Sequence, residues 1–243
     1  MKKRRIKLFG IAMAVILVVG GCGMKKTEVK TEKAFGSGIE SGANPSEAGS
    51  AKTVVETKKG IDEAQVKVDI PMVDLPEGIK GVKAETAANG ELRDLIVKDM
   101  EIPEDYLETT HYYYNYVDLN DDGEDEIFAI VTGPYTSGTG GSTAIWVSKQ
   151  AGKLHIQENF TIVNTPVIIS DKKENGYHEL IVPYYGNGKD QYSVLSYQDG
   201  EYTNVPDGKI IDSLQGITGK AIIANDFIKE SEAGIMGFNL MTE

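Results

Sequence analysis

Cysteine is almost missing from this chain. Cys22 is the only one among 243 residues, so an intrachain disulfide is impossible and a cysteine metal cluster is excluded. Histidine is nearly as scarce: His111, His155 and His178 show no metal-ligand spacing, and only the fold could bring them together. Positive charge is deficient as well. With 25 Lys and Arg against 37 Asp and Glu, the net charge of −12 opposes nucleic acid and anionic lipid surfaces. No G-x-S-x-G elbow is present, and Ser137 and Ser142 sit among turn residues, so no nucleophilic serine is evident. Gly138-Thr139-Gly140-Gly141-Ser142 lacks the lysine and the strand-to-helix setting of a phosphate loop, and reads as a glycine-rich hairpin connection. Paired carboxylates decide nothing in a chain this acidic. The one long apolar run, Leu8 to Gly21, is too short for a comfortable membrane-spanning helix.

That run follows a basic start, Met1 to Arg5 with Lys7, and ends in Val19-Gly20-Gly21-Cys22. The quartet resembles the lipobox of bacterial lipoproteins, with Val19 where that family usually carries Leu. The resemblance implies that residues 1–21 are a signal peptide and that Cys22 becomes a lipidated mature N-terminus. It would carry a diacylglycerol thioether, with or without a further palmitate-type N-acyl chain, and two or more chains make a lasting anchor. Removal of five positive charges (Lys2, Lys3, Arg4, Arg5, Lys7) would take the net charge from −12 to about −17. From Gly23 to about Gly60 the chain is rich in Gly, Ser, Lys, Glu and Ala. With almost no large apolar residue to offset chain entropy, residues 22–60 are expected to be a flexible tether.

Residues 61–243 are long enough for one domain with a real core. Val66 to Val73 alternates but is broken by Pro71, so it is at best an edge strand. Leu92, Leu95, Ile96 and Met100 fall at helical spacing and predict a helix over Ala87 to Met100, stopped by Pro103, with a short turn at 104–107. Beyond it the period changes to two. Strands are expected at His111–Val117, 126–132, 143–147 and 154–156, a meander joined by glycine-bearing turns such as Ala151-Gly152.

Between the first two strands lies Asp118-Leu119-Asn120-Asp121-Asp122-Gly123-Glu124-Asp125-Glu126. Oxygen-bearing side chains at positions 1, 3, 5 and 9 suit a hard divalent cation, and Gly123 permits the sharp turn. The loop and its strand resemble the calcium loops of FG-GAP and VCBS-type repeats of bacterial surface proteins. The twelfth position, Ala129, departs from an EF-hand. The resemblance implies a structural calcium held by Asp118, Asn120, Asp122, the Glu124 carbonyl and Glu126. The competing reading is an Asx-rich turn that closes a hairpin without an ion.

A shift of 53 residues aligns Gly123 with Gly176, Asp118 with Asp171, Glu126 with Glu179 and Ile127 with Leu180. Lys173 replaces Asn120, so the second loop is not expected to bind a cation. Gln198-Asp199-Gly200-Glu201 signals a hairpin, and 210–228 a last strand and short helix. The fold expected is mainly β (α+β), with two blade-like antiparallel meander repeats at about 111–162 and 165–205 and one packed N-terminal helix. The repeats could pack face to face or extend one sheet. Tyr112, Tyr114 and Tyr116 share a strand face and, with Trp146, are either packing partners or a ligand face for a sugar or peptide. The function expected is that of a membrane-anchored extracytoplasmic binding or accessory protein of the cell envelope, whose partner is a glycan, a wall polymer or an envelope protein. The alternative is an envelope hydrolase with a site assembled only in the fold.

Overall fold

The computed structural model of the chain describes residues 70–186 and 188–241. The signal peptide, the lipidated Cys22, the tether and Val66–Asp69 of the first expected strand lie outside them. The described residues belong to the unit Asp62–Glu243 and are mainly β, with few helices and no barrel.

After the short strand β1 (Ile79–Gly81) comes helix α1 (Gly90–Asp99). It starts three residues later than the apolar spacing predicts because Asn89 caps it. The Asn89 side chain accepts from the Leu92 N–H at 3.0 Å, with Asn89 itself extended (φ −112°, ψ 101°). A 3-10 turn at Glu104–Tyr106 leads to β2 (His111–Val117), the acidic loop and β3 (Glu126–Thr132). The chain continues through β4 (Ser137–Gly138), β5 (Gly141–Gln150) and β6 (Lys153–Val163). The β4–β5 hairpin is the glycine-rich connection expected there, and Ala151 and Gly152 close β5–β6 with positive φ values of 50° and 81°.

The second half comprises β7 (Val167–Glu174), β8 (Tyr177–Tyr184), β9 (Gln191–Leu195), β10 (Tyr197–Gln198) and β11 (Glu201–Tyr202). It ends with β12 (Lys209–Ile211), β13 (Gly219–Ile222), helix α2 (Phe227–Glu232) and β14 (Phe238–Asn239). Residues 210–228 thus hold two strands rather than one before the helix.

Two six-stranded sheets result. One runs β14-β2-β3-β5, with β4 and β6 both pairing β5; the other runs β1-β13-β7-β8-β9-β12. They pack face to face. Alternation along β3 explains how: Phe128 and Ile130 enter the core between the sheets, while Ile127, Ala129 and Val131 point the other way. Every residue of β3 from Glu126 to Val131 is buried because both faces are covered. The inter-sheet core joins Phe128, Ile130, Trp146 and Phe160 to Ile169, Leu180, Val182 and Leu195. The outer face of the first sheet is sealed by Leu92 and Ile96 of α1, both fully buried. The outer face of the second carries Ile168, Ile181 and Val194 under Leu75, Leu214 and Ile217.

One buried polar side chain ties the sheets together. Asn115 of β2, 2% exposed, donates to the Lys83 carbonyl at 2.9 Å and accepts from the Ile223 N–H at 2.8 Å, just past β13. It gives the buried Ile223 N–H its acceptor at the core's edge.

Candidate cation-binding loop

The loop begins where β2 runs out. Asp118 folds it: Oδ1 accepts from the N–H groups of Asn120 (3.3 Å), Asp121 (2.7 Å) and Asp122 (3.2 Å), and Oδ2 from Gly123 (2.9 Å). Four converging donors hold its carboxyl below the usual carboxylate range, against a desolvation cost. The pattern is then repeated. Asn120 Oδ1 accepts from Asp122 N–H (2.9 Å), and Asp122 Oδ1 from Glu124 N–H (2.8 Å), while Asn120 Nδ2 donates to Asp122 Oδ2 (2.8 Å). These are nested Asx turns. Asp121 and Gly123 adopt positive φ values of 60° and 87°, and a Cβ on Gly123 would meet nothing, so it is the backbone angle that asks for glycine.

Glu126 closes the loop from inside. Only 8% exposed at the head of β3, it accepts from the Leu119 N–H at 3.0 Å. Burial pushes its pKa up, the Leu119 bond opposes this, and the charges of Asp122 and Asp118 push it up further. Three carboxylates therefore feel one another at one place. Glu124 is exposed. Among the described residues no group of three or more His, Cys, Asp and Glu side chains is arranged to hold a metal ion; the loop's oxygens are engaged with its own N–H groups. The donor set is nevertheless all oxygen, and each of these carboxylate oxygens retains lone pairs beside the bonds it accepts. It fits calcium in chemistry and excludes a soft, thiolate-type site.

Asp121, the loop residue outside the ligand pattern, faces the other sheet. Lys173 of β7 pairs with its carboxylate and also donates to the Asn120 carbonyl at 2.8 Å. His178 of β8 sits between Asp121 Oδ1 (3.1 Å) and the Ser170 carbonyl (2.6 Å), two acceptors for its two ring nitrogens. The Lys173 and His178 contacts hold the Asp121 carboxyl below its ordinary range. His178 is therefore a joint between the sheets.

The expected second loop does not exist. Asn175 and Gly176 (φ 51° and 90°) reverse the chain in two residues, so Asp171 and Lys173 lie within β7, and Lys173 pairs in register with His178. Of the two readings of the aromatic residues, packing is the one the structure shows for Tyr112, Tyr114 and Trp146. Tyr112 (1% exposed) and Tyr114 (3%) lie under α1, pinned by bonds to Asn89 and Ala87. Trp146 (5%) is on the opposite face, edge-on to Tyr177, Tyr197 and Tyr202, and only Tyr116 (44%) is exposed. The helix that packs on this sheet is what removes the platform.

Two further carboxyl groups carry no sequence signal. Glu158 of β6 accepts from the Tyr202 N–H at 2.9 Å; burial drives its pKa up to about 7, with Glu201 adding to the rise and the Tyr202 bond opposing it. Glu230 of α2 is 6% exposed and lines a cleft with Tyr113 and Asn225. No described helix is long and apolar enough to cross a membrane. Comparison with protein-family models, with curated proteins and with solved structures finds no match.

Proposed function

We propose that this chain is an extracytoplasmic lipoprotein, tethered to the cell membrane through Cys22, and that it serves as a binding or accessory protein of the envelope. Its β domain is completed by a structural calcium at Asp118–Glu126. One observation carries the ion: the side-chain oxygens of Asp118, Asn120 and Asp122 gather in one turn closed by Glu126, a carboxyl only 8% exposed, and a cation among them would offset their like charge. Asp118, Asn120, Asp122, Glu126 and the Glu124 carbonyl would hold it. Bound there, it would neutralise the carboxylates at the corner where β2, β3 and β7 meet. A solvent-side extracellular loop of this kind has a Kd on the order of 10⁻⁴ to 10⁻³ M.

The two meanders are, in this reading, copies of one blade-like unit. Support comes from their faces. The 53-residue shift places Phe128 on Ile181 and Ile127 on Leu180, yet Phe128 and Leu180 are the residues that meet between the sheets. The front of the first unit thus packs on the back of the second, as successive propeller blades do. Alanine substitutions test the ion. Asp118→Ala and Asp122→Ala should abolish the gain in unfolding free energy on adding calcium, and Asp171→Ala, exposed on β7, should keep it. Equal gains in all three would remove the ion from this loop.

A further inference from the structure

Away from the loop, the segment 73–78, the ends of β8 and β9 and the connection 212–216 surround a groove on the outer face of the second sheet. Two contiguous clefts of about 680 and 160 Å³ make it, and they share Pro76, Asp190, Tyr192 and Leu214. Its floor is apolar because Tyr192 and Leu214 belong to the cluster that covers that face. Tyr185, just beyond β8, is 52% exposed and stands in the smaller cleft beside Pro183.

The charge of this groove has one sign. Glu77, Asp190 and Asp212 line the larger cleft and Asp74 the smaller, and among the described lining residues there is no Lys, Arg or His. Lys189 precedes Asp190 in the chain but lines neither cleft. Glu77, Asp190 and Asp212 are exposed, and among the described residues no cation pairs with them. Asp212 accepts only from Gln191 Nε2, at 2.6 Å, whereas Asp74 lies in the field of Lys229. Three like charges around one groove repel each other, and a cation among them is attracted by all three. A bare ion would use the carboxylates alone, and a hydrocarbon only the floor. A lysine or arginine side chain uses both, laying its stem on apolar surface while its charged head stays in water. The open tyrosine rings attract the same head by their faces.

From this tyrosine-bearing apolar groove and its unpaired carboxylates, we infer that the outer face of the second sheet docks a basic segment of a partner protein. Its lysine or arginine heads sit on Glu77, Asp190 and Asp212, and their stems lie against Tyr192 and Leu214. This rests on the reading of the chain as a binding protein of the envelope and names the chemistry of the partner.

The test is isothermal titration of the full-length protein, at low salt, with a terminally blocked hexapeptide of alternating alanine and lysine. The same peptide with norleucine for lysine keeps the stems without the charge, and hexylamine stands for a small cation. The lysine peptide is expected to bind roughly tenfold tighter than the norleucine peptide, the size expected of three exposed ion pairs. Tyr185→Ala, at an exposed position, should weaken it roughly two- to fivefold by removing a ring face. Glu77→Gln with Asp190→Asn should weaken it roughly three- to twentyfold. Glu104→Gln with Asp105→Asn removes the same charge from the 3-10 turn before β2 and should leave binding unchanged. Equal losses in the two double variants would mean a general attraction to an acidic protein and overturn the proposal. Equal affinity for the lysine and norleucine peptides overturns it too, as does hexylamine binding as tightly as the peptide. If the peptide fails while Cys22→Ser still releases the protein from the membrane, the groove proposal falls and the envelope reading stands.

Discussion

Replacing Glu158 by glutamine should stabilise this protein at pH 8 and do almost nothing at pH 4. Glu158 is half-buried on β6, and its folded pKa is raised from 4.5 to about 7. A raised carboxyl pKa means that the folded state binds the proton more tightly than the unfolded chain. The stability it contributes is full below the unfolded value and is lost as pH climbs through 7. A shift of about 2.5 units corresponds to roughly 3.4 kcal/mol, and partial solvent screening reduces this to about 1.5–2 kcal/mol. Glutamine keeps an acceptor for the Tyr202 N–H at 2.9 Å and has no charge to desolvate. Urea unfolding of both proteins from pH 4 to 8 should show two curves that separate above about pH 5. By pH 8 the variant should lead by about 1.5–2 kcal/mol, roughly 3–8 °C in melting temperature for a domain of this size. A difference that does not change with pH would refute the reasoning, as would a variant less stable than the parent at pH 8.

Two other outcomes follow from named groups. Asn115→Leu removes the bonds to the Lys83 carbonyl and the Ile223 N–H and leaves the buried Ile223 N–H without its acceptor, so denaturant titration should report a loss of about 1–3 kcal/mol. Cys22→Ser should abolish incorporation of a labelled fatty acid and move the protein out of the membrane fraction; an unchanged distribution would remove the lipid anchor.

The local parts of this fold were legible because they follow from period and punctuation. The β2 and β3 boundaries agree with the sequence reading since the tyrosine and isoleucine runs end at Asp118 and Thr132, where turn chemistry takes over. The α1 start was misplaced because Asn89 outweighs the apolar residues before it. What lay beyond reach is non-local. Three-residue β1 pairs in parallel with β13 across about 140 residues, and two-residue β14 adds to β2 from the far end of the chain. The tyrosine strand announced two faces, but alternation cannot say which a helix will cover, and α1 covers the one bearing Tyr112 and Tyr114. The loop's ligand spacing is local and so readable; the contacts of Glu230 with Asn225 and Tyr113 form only in the fold. The 53-residue alignment placed Lys173 opposite Asn120 in sequence, and in space its ammonium reaches the Asn120 carbonyl of the first loop.

The most direct measurement is thermal unfolding of the full-length protein with calcium, with magnesium and with chelator. A ligand that binds only the folded state stabilises it by RT ln(1 + [L]/Kd), about 1.4 kcal/mol at a tenfold excess over Kd. For a domain of this size that is a rise of roughly 3–6 °C. The account predicts that rise with millimolar calcium, not reproduced by magnesium and absent in Asp122→Ala. An identical melting temperature in calcium and in chelator would contradict it, and would leave Asp118–Glu126 as a set of nested Asx turns that closes the β2–β3 hairpin unaided.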